Sequence, residues 1–136
     1  MKPNARFSKT ALEAIRRHLQ IFGETSPGIQ FAVLTSADGF EIASFQAPGA
    51  SSVAGKLAAV TSSITALGEA ATRETGLAHA RSVIIESENG AIVMLGIESA
   101  KPALSLAVVA GKQAILGHLL WAARNVGVTV ARIAAA

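Results

Sequence analysis

Two stretches of this chain read as strand, tight turn, strand, and they restrict the fold more than any other feature. "IQFAVLT" (29–35) and "FEIASF" (40–45) flank "SADG", where Asp38-Gly39 suits the positive φ of a hairpin turn. "RSVIIES" (81–87) and "AIVMLGI" (91–97) flank "ENG", and Asn89-Gly90 is the strongest turn signal in the sequence. "LSLAVVA" (104–110) extends the second pair into a meander. Short turns between neighbouring strands force antiparallel pairing, so the spacing predicts a mainly antiparallel sheet.

Helical periodicity occupies the intervals. "TALE" (10–13) has capping-box form, with Thr10 as N-cap and Glu13 reaching back; Leu12, Ile15, Leu19 and Phe22 then make a stripe that Gly23 would end. A second helix spans 53–71 and ends near Gly76, and a third runs from Lys112 to Asn125, with Gly127 as its stop. The order is α-β-β-α-β-β-β-α, an α+β class with helices covering the sheet. The chain divides into a flexible basic N-terminus (1–7), one domain (8–127) and a C-terminal tail, "VTVARIAAA" (128–136).

The second helix poses the main question. Val53, Leu57, Val60, Ile64, Leu67 and Ala71 form one apolar stripe, which is expected to face the core. The other side holds Ala54, Gly55, Ala58, Ala59, Ser62, Thr65, Ala66 and Ala70, with Glu69 as its only long side chain. A helix facing water normally carries Lys, Glu, Arg and Gln there. Small side chains let backbones approach, so this face suits a second helix. The following strand, "RSVIIES", has charges only at its ends and no proline, which leaves it unprotected if it forms an edge. Together they point to a symmetric dimer, with Ala54, Ala58, Ala59, Ser62, Thr65, Ala66, Val83 and Ile85 at the interface.

Composition agrees with hidden surface. Only 15% of the 136 residues are charged, against roughly 25% in an ordinary domain. Net charge is +3, and five of the twelve basic residues fall in the first 17: Lys2, Arg6, Lys9, Arg16 and Arg17. Without aromatic interleaving or a Gly-rich basic tract, these read as a solvated face rather than a nucleic-acid or membrane site. No run approaches the ~20 apolar residues of a membrane span, and no apolar run follows the N-terminal charges as in a secretory signal. With no cysteine, a cytoplasmic protein is the default.

Catalytic patterns find no support. Asp38, the sole aspartate, sits in a turn; His18, His79 and His118 lie on separate elements; Glu86 and Glu88 flank a hairpin turn. There is no H-E-x-x-H, no G-x-S-x-G and no Gly-rich phosphate loop, so no metal, cofactor or catalytic residue is assigned. Trp121, the one tryptophan, is expected in the core or at the edge of a binding surface.

The element order, with "FAVLTSADGFEIASF", "KLAAVTSSITALGEAA", "SVIIESENGAIVMLGI" and "LSLAVVAGKQAILGHLLWAAR", resembles the Roadblock family, related to dynein light chains and bacterial GTPase regulators. The resemblance covers the chain from the first helix to about Val126. It implies the profilin-like Roadblock fold: a five-stranded antiparallel sheet with the second helix on one face and the terminal helices on the other. It also implies dimerisation through the second helix and third strand, and binding of a Ras-like small GTPase without catalytic residues of its own. Gly55, Ala58, Ser62 and Glu69 would then face the partner. A structural adaptor subunit that never meets a GTPase is the alternative, and a small-ligand sensor using the sheet face is a third reading.

Overall fold

The computed structural model describes residues 7–50, 54–97 and 103–135. The elements are α1 (Lys9–Thr25), β1 (Ile29–Ser36), β2 (Glu41–Gln46), α2 (Ala54–Glu74), β3 (Val83–Ser87), β4 (Gly90–Ile97), β5 (Leu104–Gly111) and α3 (Leu116–Ala135). The five strands form one sheet in the order β2-β1-β5-β4-β3. Every neighbouring pair is antiparallel. The fold is the one the sequence predicts, and it places β2 and β3 at the two edges.

Strand alternation sorts the core into two layers. Ala32, Leu34, Val93, Leu95, Leu106 and Val108 point toward α1 and α3, where they meet Ile15, Leu19, Phe22, Leu119 and Val130. Phe31, Val33, Met94 and Ala107 point the other way, toward Ala54 and Ala58 of α2. Ile29 and Phe31 serve opposite layers because the register between β1 and β5 shifts between them.

Several boundaries differ from the sequence reading for local reasons. The cap of α1 is Ser8, whose Oγ accepts from the Ala11 N–H at 3.0 Å, two residues before the expected Thr10. α1 also passes through Gly23, which is buried because Phe45 lies where a side chain would go. Residues 1–6 of the expected N-terminal tail lie outside the described residues, while Phe7 packs against the core. The expected tail 128–136 is helical as far as Ala135, since α3 continues through Gly127. A side chain at Gly127 would meet Ile97 at 3.7 Å and Leu95 at 3.9 Å, so its glycine permits close packing on β4 rather than a stop.

The turns make the same distinction. Gly39 has φ +89° and serves its hairpin as expected. Gly90 does not: it opens β4, opposite Ser87, and the turn itself is Glu88-Asn89. A side chain at Gly90 would run into the Ala110 carbonyl on β5.

Candidate interaction surface

The small residues of α2 determine how closely it lies on the sheet. Ala54, Ala58 and Thr61 are its buried residues, and Ala58 is fully enclosed over Phe31, Val33 and Met94. Three polar contacts fix this seating. The buried Thr35 hydroxyl lies 3.4 Å from the Ala58 carbonyl, with the Phe40 and Ser36 carbonyls nearer at 3.1 and 3.2 Å, Ser62 Oγ donates to the Ala37 carbonyl at 2.8 Å, and the Thr65 and Ser105 hydroxyls lie 3.3 Å apart. Thr61 Oγ1 is buried with no hydrogen-bond partner among the described residues; nothing in the structure explains it.

This orientation corrects the expected one. The apolar stripe does not face the core as a unit: Leu57 and Ile64 are half-buried at its flank, while Val60 is 48% and Leu67 68% exposed. Val53 lies outside the described residues. Bulky Phe31, Val33 and Met94 already fill the sheet surface, so the helix reaches them with its smallest side chains and turns its large aliphatics outward.

Beside α2 lies the free edge of the sheet. Among the described residues β3 pairs only with β4, and Ile84 and Ile85 are 39% and 38% exposed. Its side chains alternate, so Val83 and Ile85 share the α2 side with Met94 and Ile92, and Ile84 lies on the other. Val83 is drawn under α2 at Gly68, where a side chain would come within 3.1 Å of its Cγ2. Between α2 and the ends of β3, β4 and β5 is a cavity of about 550 Å³, lined mainly by small residues, among them Ser62, Ala66, Gly96 and Ser105.

The sequence matches the Roadblock/LC7 domain family over residues 8–110. The chain belongs to that family. Its fold is shared with "MglB with tetrameric arrangement" (TM-score 0.82, 20% identity, 94% of this chain and 93% of that one). It is also shared with the gliding protein MglB from Thermus thermophilus (0.82, 19%, 94% and 93%). A Roadblock/LC7 domain from Streptomyces avermitilis is similar over 85% of this chain and 92% of its own (0.74, 23%). No curated protein matches the sequence.

Within this Roadblock domain the site residues expected from sequence separate into three groups. Ala54 and Ala58 cannot reach a partner, because the domain's own sheet covers them; this corrects both as interface residues and Ala58 as a partner contact. Gly55, Ala59, Ala66 and Ile85 are exposed. Ser62, Thr65 and Val83 are half-buried, the two hydroxyls engaged inside the chain.

Glu69 has an internal task. Its Oε1 accepts from the Ala80 N–H at 3.0 Å and its Oε2 lies 3.1 Å from His79 Nδ1, which must donate to a carboxylate. The His79 hydrogen bond first, then the Ala80 N–H, hold the carboxyl below its ordinary value against partial desolvation. Glu69 thus pins the α2–β3 connection.

Sequence reasoning missed Val60 and Leu67, because a stripe at helical spacing does not say which neighbour covers it. Of the two places expected for Trp121, the structure excludes the core: the indole is 63% exposed on α3 and stacks with His118 at 6.0 Å. Among the described residues, no three His, Asp or Glu side chains are grouped as a metal site would require, and no helix is long and apolar enough to cross a membrane.

Proposed function

We propose that this Roadblock domain works in the cytoplasm as a homodimeric regulator or scaffold for a Ras-like small GTPase, without catalytic residues of its own. The observation that carries the reading is that Val60 and Leu67 of α2, and Ile85 on the α2 side of the β3 edge strand, are all exposed apolar side chains. An exposed strand edge beside an apolar helix face is what a two-fold copy covers most simply, since the same patch serves both partners. Pairing β3 with β3 brings two α2 helices together on one side of the joined sheets. The ends of those helices, with Gly55 and its open surroundings, then offer a shared surface to one GTPase. Acceleration of hydrolysis on such a surface arises from holding the GTPase's mobile segments in one arrangement, which requires different affinities for its nucleotide states.

Two measurements test this. Light scattering should give the mass of two chains, and a monomer at micromolar concentration would remove the dimer. Titration with a co-encoded small GTPase should show tighter binding with a non-hydrolysable GTP analogue than with GDP. Equal affinities would leave the adaptor reading in its place.

A further inference from the structure

The layer opposite α2 has an uneven distribution of charge. α1 contributes Lys9, Arg16 and Arg17 against Glu13 and Glu24, and α3 contributes Arg124 and Arg132 with no acid at all. Among the described residues the two helices therefore hold five basic residues against two acidic ones, and the rest hold four basic against six acidic. The positive excess of the described residues lies on that one side.

The same side exposes apolar groups that the core does not use. His118, Trp121, Asn125, Val128 and Arg132 follow at steps of three, four, three and four, so they form one ridge along the outside of α3. Trp121 is 63% and Val128 56% exposed there, and Arg124 lies alongside. The inner face of α3 is committed through Leu119, Ala123 and Val130, so the helix cannot leave the domain to insert. It can only lie along a surface.

We propose that the α1–α3 face is a peripheral docking surface for an anionic lipid bilayer. An indole at the headgroup level with aliphatic neighbours and flanking guanidiniums is the side-chain set that an interface between water and acyl chains rewards. Each basic residue near an anionic leaflet adds attraction that salt screens. A nucleic acid would use the same cations, but Val128 gains nothing against a phosphate backbone. In the dimer proposed above, both copies of this face lie on one side of the joined sheets, away from α2; that doubling rests on the dimer reading, while the surface itself does not.

The test uses the full chain with vesicles of phosphatidylcholine, alone or with phosphatidylglycerol as a minor component. Sedimentation with the mixed vesicles at low salt, and not with phosphatidylcholine alone, is expected. The emission of Trp121, the only tryptophan in the chain, should shift to the blue on binding. Paired charge reversal, Arg124→Glu with Arg132→Glu, should lower partitioning by roughly tenfold or more. Both arginines are exposed, so circular dichroism should show the variant folded. No binding to the mixed vesicles, binding with unchanged Trp121 emission, or undiminished binding of the folded variant would each overturn the proposal. Tighter binding to duplex DNA than to the mixed vesicles at equal salt would overturn it in favour of a nucleic-acid face. A monomer in light scattering that still binds these vesicles would defeat the dimer and leave this inference standing.

Discussion

The two helical layers solve opposite packing problems on one sheet. α1 and α3 turn large side chains inward, Ile15, Leu19, Phe22, Leu119 and Val130, and leave mostly charged, polar and small groups outside, with Ile21, Trp121 and Val128 as large apolar exceptions. α2 does the reverse, with Ala54, Ala58 and Thr61 inside and Val60 and Leu67 outside. A helix stabilised only by its own domain would gain little from that choice, since burying alanine removes far less apolar area from water than burying leucine. The contrast shows that an apolar stripe identifies a buried surface only when its neighbour is known. On α1 the neighbour is the sheet; on α2 nothing among the described residues covers Val60 and Leu67.

The sharpest way to break this contrast is to truncate one large residue in each layer. Leu19→Ala should cost about 2–5 kcal/mol, because it opens a cavity in the enclosed core. Leu67→Ala should change the stability of the single chain by less than about 0.5 kcal/mol while weakening self-association. Denaturant melts at high dilution read the first effect, and light scattering across a dilution series reads the second. Equal losses in the melts would mean that α2 sits with its large stripe on the sheet.

A smaller effect comes from adding bulk. Ala58→Leu should cost about 1–3 kcal/mol, since Phe31, Val33 and Met94 leave no room beneath it. Ala59→Leu, one residue along and exposed, should change stability by less than about 0.5 kcal/mol. Thermal melts of the pair decide whether the small face or its neighbour is the seat of the helix.

The smallest effect is electrostatic and local. Because the folded Glu69 carboxyl is held below its ordinary value, its contribution is present above the usual carboxylate range and is lost as pH falls through the lowered value. The Ala80 amide proton, followed by NMR, should therefore move on acidification as the carboxyl takes up its proton. Glu69→Gln should abolish that movement. A titration of Ala80 unchanged by this substitution would assign the shift to another group.

Most of the sheet was legible because alternation and turn glycines are local signals. The hairpins at Gly39 and around Asn89 depend on residues adjacent in sequence, and all five strands fall where the pattern put them, within two residues. What was not legible depended on neighbours distant in sequence. Gly23, Gly90 and Gly127 look like breaks, yet each is explained by a group on another element: the Phe45 ring, the Ala110 carbonyl, and the Ile97 and Leu95 side chains. Glu69 stood out as the one long side chain on a small face, and nothing local revealed that its partners lie ten and eleven residues further on. At the candidate surface, the second helix and third strand were legible as elements, but the side of α2 that points outward was not.

The two edges of the sheet are unequal, and that inequality sets a limit on growth. β3 is an open end, whereas β2 carries exposed Glu41 and Gln46 at its termini, faces a register break at Leu34/Thr35 and is followed closely by Pro48. In the dimer proposed above, where β3 would join its twin, the strand left at either extremity would be β2, a terminator rather than a template. Addition would thus stop after one step, and the light-scattering experiment should show a single discrete species instead of a ladder. A chain with two copies of the β3 edge would polymerise; this one carries its own chain-termination rule in the order of its strands.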